Sequence, residues 1–407
     1  MLRRLAWIGL CGLVAAAGCS SDDSGGSNIG DGNYEAKIVR TTYGIPHITA
    51  DDWGSLGFGQ GYAYAQDNFC VLMKEVLRAN GESARWLGED EGDVARDYVY
   101  TFLNTDEAME ELRSTQREEF QSMVLGYVTG FNEYLEDTGA GNLAEGPEGC
   151  RDADWVRPIS DLDLWKVLRK LILLASTQEI GVLAPRAEPT LMSTASVTQE
   201  LLGGQSTPVD TSGILTPRER GLGSNAYGIG SEGSQTGYGI VLGNPHFPWS
   251  GSLRFYVQHL TLTNTIDVMG AALQGVPGVL IGFNKDVAWS HTVSTASRFT
   301  IFELHLVEDD PLKYQDGDEI RDIVPHEVTV EVLLEDGTVE ERTDTLYTSD
   351  YGFMIDLGAI SDILAGWPNA DNTAFTYQDA NMDNGRILDL WFGKAAASSI
   401  EEMQEVM

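Results

Sequence analysis

Basic side chains are scarce in this 407-residue sequence: 26 lysines and arginines stand against 62 aspartates and glutamates, a formal net charge of −36. That balance repels phosphate backbones and argues against a nucleic-acid partner. Cysteine is rarer still, four in all. Neither Cys-x-x-Cys nor His-Glu-x-x-His occurs, so no zinc spacing is present and no metal is expected. Gly-x-Ser-x-Gly is missing too, which removes the strand–turn–helix serine of conventional serine hydrolases. The apolar run at residues 5–17 is too short to span a bilayer as a stable helix.

Behind Arg3 and Arg4, that run has the form of a signal-peptide core. Ala16-Ala17-Gly18-Cys19 then resembles a lipobox, in which Cys19 is lipidated and becomes the first residue; a plain signal-peptidase site is the other reading. Residues 1–19 read as a lipoprotein-type signal and the Ser/Gly/Asp-rich residues 20–33 as a flexible tether. An exported protein in the periplasm or on the outer membrane is expected, touching the membrane only through its lipid. With Cys11 in the signal and Cys19 lipidated, Cys70 and Cys150 remain, either as a disulfide or as two buried thiols.

Residues 34–180 read as mainly helical. A short strand at 36–40 leads to His47, which follows a proline turn and reads as structural. Residues 55–80 turn helical, with a small-residue face at Gly57, Gly61 and Ala65. Phe120, Met123, Val124, Tyr127, Val128, Phe131 and Leu135 make one apolar stripe of a helix over 107–135. Ser160 reads as the N-cap of a helix to about 175, with Asp163 where a capping box would carry Glu or Gln. Residues 181–222, with four prolines and no sustained periodicity, read as a long exposed spacer ending at Gly223.

From residue 224 strands dominate. Asn225, Tyr227 and Ile229 alternate with Ser224, Ala226 and Gly228, and the polar turn 231–237 leads into 238–242. Ser224 to Leu242 therefore reads as a β-hairpin that returns His246 to the end where Ser224 began. Strands are expected at 254–262, 299–307, 328–334 and 339–347, the last two flanking a Glu335-Asp336-Gly337 turn. Ser399 and Glu402 cap a fresh helix that has barely begun at Met407, so a continuation of the chain is expected.

The segments Gly223-Ser224-Asn225-Ala226, Gly243-Asn244-Pro245-His246-Phe247-Pro248-Trp249 and Ala288-Trp289-Ser290-His291-Thr292-Val293 resemble, in order, the penicillin acylase family of N-terminal-nucleophile hydrolases. Within it the likeness is to acyl-homoserine lactone and aculeacin-type acylases, and it runs from about Tyr34 to the last residue. The resemblance implies an α+β fold, the αββα sandwich of that superfamily in incomplete form, with a helical α-chain and a strand-rich β-chain starting at residue 224. It implies self-cleavage between Gly223 and Ser224, giving an α/β heterodimer from one precursor. The freed α-amine of Ser224, with an unperturbed pKa of about 7.7–8.0, then lies within tuning range of a general base. His246 orients that amine, and the backbone N–H of Val293 supplies one oxyanion donor. The family's second donor, an asparagine, would lie beyond Met407, so the 407 residues alone are expected to be weakly active or inactive.

Phe247, Leu273 and Val276 match acyl-pocket positions, and His259 and His291 read as structural. Calcium is not carried over, because residues 296–299 contain no carboxylate, and no cofactor is expected. The substrate is then a small-molecule amide with an apolar acyl group, an N-acyl-homoserine lactone in the leading reading. A β-lactam or a cyclic lipopeptide is the alternative within the same machinery. Outside enzymes, the alternative is a catalytically inactive surface lipoprotein.

Overall fold

Two long helices touch backbone to backbone because glycine lets them. Helix α1 (Trp53–Ala79) begins at Asp52, whose carboxylate accepts the Ser55 amide proton at 2.8 Å. Helices α2 (Ser83–Glu91), α3 (Val94–Leu103) and α4 (Asp106–Ser114) lead to α5 (Glu118–Thr138). A methyl group added at Gly57 would lie 2.1 Å from the Met123 carbonyl oxygen, and one at Gly61 2.0 Å from that of Tyr127. From the α5 side, a methyl group added at Gly126 or Gly130 would lie 1.9 Å from the Gly54 or Phe58 carbonyl oxygen. The small-residue face legible in the sequence is thus the α1–α5 contact.

This computed structural model describes residues 27–30, 32–146, 148–174, 176–190, 223–292, 294, 296–359 and 366–407. Cys19 with the rest of the signal, residues 191–222 of the spacer, and Val293 lie outside the described residues.

Three sequence expectations need correction. The single helix over 107–135 is two, because the Ser114 and Thr115 hydroxyls donate back to the Glu111 and Leu112 carbonyls at 2.8 and 2.7 Å and end α4. The tether is not loose throughout: β1 (Ser27–Gly30) pairs antiparallel with β2 (Glu35–Arg40). The spacer is not exposed from its start, since residues 181–186 form a 3-10 turn whose Val182, Leu183 and Ala184 are buried. An apolar trio outweighs the nearby prolines there.

Helix α6 (Asp161–Ile172) shows that aspartate suffices for a capping box. Asp163 accepts the Ser160 amide proton at 2.8 Å, and Ser160 Oγ accepts that of Asp163 at 3.1 Å. A four-residue helix, α7 (Thr177–Ile180), follows. Cys70 on α1 is disulfide-bonded to Cys150, closing a separation of 80 residues.

Strand β3 (Pro46–Ala50) pairs with β2 on one side and, in parallel, with a strand from beyond Ser224 on the other. In chain order the later strands are β4 (Gly223–Ile229), β5 (Ile240–His246), β6 (Tyr256–Leu262), β7 (Ile266–Ala272), β8 (Ile281–Phe283) and β9 (Ala288–Trp289). One seven-stranded sheet runs β1-β2-β3-β6-β7-β8-β9. Its core joins both parts of the chain, packing Ile48, Leu72, Val124 and Trp165 with Leu260, Val268 and Trp289.

The second sheet is built from β10 (Phe299–Val307), β11 (Asp310–Asp316), β12 (Glu319–Asp322), β13 (Val324–Leu333), β14 (Val339–Ser349), β15 (Gly352–Ile355) and β16 (Thr373–Asp379). Its order is β12-β11-β10-β16-β15-β14-β13. The β13–β14 turn uses Gly337 at φ 82°, and the Asp336 carboxylate accepts the Thr338 amide proton at 2.9 Å. Helices α8 (Arg386–Gly393) and α9 (Ile400–Val406) close the chain, α9 capped by Ser399 as read from the sequence. The architecture is α+β. Among the described residues no helix is long and apolar enough to cross a membrane.

Candidate active site

The hairpin β4–β5 stands alone as a two-stranded sheet, and its register decides what meets at its open end. Gly223 pairs with His246, Ser224 with Pro245 and Asn225 with Asn244. Proline is tolerated there because β5 has a free edge. The hairpin turn therefore returns His246 beside the Gly223–Ser224 bond across 22 residues of sequence.

Ser224 Oγ donates to the Gly223 carbonyl oxygen at 2.5 Å, so the hydroxyl rests on the peptide group that precedes it. His246 Nε2 lies 3.3 Å from Asn225 Nδ2 and 3.2 Å from Asn244 Nδ2. Both neighbours are amide nitrogens, which only donate, so Nε2 stands where it accepts from them. Nδ1 faces Gly223, where an added methyl group would lie 3.4 Å from it. Ser224 is half-buried and His246 exposed, and both remain reachable from solvent.

With the Gly223–Ser224 peptide intact, the Ser224 nitrogen is an amide and cannot act as a base. The hydroxyl's hydrogen bond goes to the neighbouring carbonyl. Cutting that one bond converts the same nitrogen into an amine two bonds from the Cβ that carries the hydroxyl.

The other expected site residues are placed as follows. Phe247 packs its ring edge-on against Phe255 at 5.1 Å, half-buried against the main core. Leu273 and Val276 are buried in that core, on the chain between β7 and β8. This chain is held by Gln60, whose Nε2 donates to the Val276 carbonyl at 3.2 Å and whose Oε1 accepts the Gly278 amide proton at 3.1 Å. His47 and His259 face each other in the parallel β3–β6 pair, Nδ1 to Nδ1 at 2.7 Å, and Asp267 meets the other side of His259 at 2.7 Å. Burial, and then the neighbouring His259, lowers the His47 pKa. Among the described residues no cluster of three or more His, Cys, Asp or Glu could hold a metal.

Sequence reasoning missed the two asparagines on His246, although counting outward from the turn pairs 225 with 244 and would have found them. It also missed Lys394, whose Nζ donates to His291 Nε2 at 3.2 Å. No local pattern announces a contact between residues 103 apart.

Comparison with known proteins gives the family of the chain. The family described as penicillin amidase matches residues 35–407. Acyl-homoserine lactone acylase PvdQ of Pseudomonas savastanoi pv. phaseolicola is 38% identical over 91% of this chain and 47% of its own length. Aculeacin-A acylase of Actinoplanes utahensis is 38% identical over 97% of this chain and 49% of its own. The chain thus spans about half the length of the curated relatives it matches. Among solved structures, thermostable penicillin G acylase from Alcaligenes faecalis overlaps 44% of this chain and 30% of its own, with 19% identity and a TM-score of 0.37. By the extent of the family match and the identity to these relatives, the chain belongs to the penicillin amidase family.

Proposed function

We propose that this chain belongs to an exported amide hydrolase that frees Ser224 by cutting its own backbone, then uses it to deacylate N-acylated small molecules. The observation that carries the reading is the Ser224 hydroxyl resting on the Gly223 carbonyl, with His246 paired opposite.

In the first step Oγ adds to the Gly223 carbonyl carbon and its proton passes to a base. Collapse breaks the C–N bond, the nitrogen takes up the proton, and an ester joins Gly223 to Oγ. Water hydrolyses the ester, leaving the Gly223 carboxylate and a Ser224 with free hydroxyl and α-amine. In turnover that amine takes the Oγ proton as Oγ attacks the substrate amide, and the proton goes to the departing amine. A second water removes the acyl group. The Val293 N–H is assigned as an oxyanion donor; losing one such donor typically costs about 2.7–4 kcal/mol, roughly 100- to 1,000-fold.

The two pieces stay together as a heterodimer through the parallel β3–β6 pairing and the core shared across the cut. Phe247, Leu273 and Val276 are assigned to the acyl end of the substrate, and lipid on Cys19 to the anchor. N-acyl-homoserine lactones are the first substrates to try, with quorum quenching as the outcome. A relative that matches 97% of this chain, named for aculeacin A, makes a cyclic lipopeptide the second.

The experiment is an intact-mass measurement of the protein expressed from its complete gene. Two fragments that divide between Gly223 and Ser224 are expected, and one uncut chain for Ser224→Ala. Hydrolysis of acyl-homoserine lactones of graded chain length, alongside aculeacin A and penicillin G, then identifies the substrate. A wild-type protein that stays whole sinks the reading.

A further inference from the structure

The chain that follows His246 is not held by burial. None of residues 247–255 is buried, and Trp249 is 94% exposed. Phe247 and Phe255 close the base of this loop, ring to ring at 5.1 Å. Between them, polar contacts with distant elements fix it. The Gly251 N–H donates to Glu148 Oε1 at 2.9 Å, and Gln274 Nε2 donates to the Arg254 carbonyl. The Arg254 guanidinium donates to Asn68 Oδ1 through Nη2, and its Nη1 lies 3.8 Å from Glu148 Oε2. Helix α1 leaves helical backbone geometry at Asn68, with φ −144° and ψ 26°, so the residue that breaks the helix is the one that takes Arg254.

Both grips on Arg254 are braced by one covalent bond. Asn68 stands two residues before Cys70 and Glu148 two before Cys150, and those cysteines are joined. The loop that carries Glu148 hydrogen-bonds to itself, Gly149 N–H to Gly146 at 2.8 Å and Cys150 N–H to Ala144 at 3.1 Å. The disulfide ties it covalently to α1. The two cysteines are 3% and 4% exposed, yet each lines a cleft. Cys70 lines one of about 270 Å³ with Asn68, Glu148 and Arg254, and Cys150 another of about 460 Å³ with Trp86 and Trp155. A small dithiol therefore has a way in.

We propose that Arg254 is a positioning residue for the amide hydrolysis and that Cys70–Cys150 is the brace of its clamp. With the clamp closed, the loop is held between its Phe247–Phe255 base and the Asn68–Glu148 grip. That fixes the end of β5, and with it the place of His246 beside the Gly223–Ser224 end. Reduction opens the clamp: a dithiol delivers two electrons and two protons to the sulfurs, leaving two thiols, and is itself oxidised to a disulfide. Asn68 and Glu148 can then move apart, and an exposed loop without its grips gains freedom. The inference rests on the functional reading given above.

The test uses protein expressed from the complete gene, with decanoyl p-nitroanilide as the probe. kcat, KM and Tm are measured for wild type, Arg254→Met, Cys70→Ala with Cys150→Ala, and all three changes together. Wild type opened with dithiothreitol, its free thiols counted, is measured alongside. Arg254→Met keeps the disulfide. Its kcat should fall about tenfold, equivalent to roughly 1.4 kcal/mol, with KM within about twofold and Tm within about 2 °C. The cysteine pair and the reduced wild type should lose Tm. At a temperature where circular dichroism shows them folded, they should lose kcat to the same extent. Adding Arg254→Met to the cysteine pair should then cost less than about twofold more, because the clamp is already slack. Wild-type kcat in Arg254→Met, or in folded protein with the bond open, overturns this inference. So does a combined loss of about a hundredfold, the product of independent effects, or a protein that unfolds once the bond is open. Each of these leaves the Ser224 reading intact. A wild type that neither splits before Ser224 nor hydrolyses the anilide overturns both.

Discussion

Gly61→Ala sets helix propensity directly against packing, and the structure decides the sign. Propensity alone favours alanine inside a helix by up to about 1 kcal/mol. The new Cβ would lie 2.0 Å from the Tyr127 carbonyl oxygen and 2.8 Å from its carbon. A comfortable C···O approach is about 3.3 Å, so α1 and α5 must separate by roughly 1 Å. The obstacle is backbone, which has no rotamer to change. Overpacking of this kind costs about 1–3 kcal/mol, and the upper end applies because the separation also loosens the contacts of Phe58 and Met123 on either side. The expected net loss is about 2 kcal/mol. At roughly 2–4 °C per kcal/mol for a large domain, Tm falls by about 4–8 °C. Thermal unfolding followed by circular dichroism reads this directly. An unchanged or raised Tm would falsify the claim that backbone contact, rather than side-chain burial, sets the α1–α5 distance.

Three further outcomes are expected. Replacing Cys70 and Cys150 together by alanine releases a loop of about 80 residues, which the chain-entropy estimate puts at roughly 4.5 kcal/mol, and urea titration of the double variant against wild type measures it. Acid should destabilise the fold in a defined window. His291 is held near 4 against an ordinary value of 6.5 and His47 is lowered as well, so both favour the neutral ring. Their contribution is complete above about pH 6.5 and lost as pH falls through the folded values. His291 alone accounts for about 3 kcal/mol below pH 4. The acid limb of the stability profile should flatten in His291→Gln, and an unchanged limb tells against the assignment. Finally, Asn225→Leu with Asn244→Leu removes both donors to His246 Nε2 on an exposed hairpin. At about 1 kcal/mol for a hydrogen bond, the rate of splitting before Ser224 should drop roughly fivefold or more, with Tm within about 2 °C.

Local chemistry explains what could be read in advance. The 3-4 stripe of α5, the Ser160 cap, the Asp336-Gly337 turn and the Ser224–His246 hairpin each depend on residues a few positions apart, or on a turn that fixes register. Periodicity and side-chain type therefore sufficed. Failures came where short-range preferences compete. Ser114 and Thr115 diverted backbone acceptors and split a helix, and Val182-Leu183-Ala184 found a core that no neighbour in sequence announced.

By itself, then, the sequence determined which histidine the hairpin returns to the Gly223–Ser224 end, because a hairpin is a local object. Tertiary structure alone decided that β3 lies beside β6, that His47 meets His259, that Cys70 reaches Cys150, and that Lys394 is buried against His291. Those contacts join residues 80 to 212 positions apart. They exist only because burying one shared core brings together distant elements whose own sequences carry no instruction to meet.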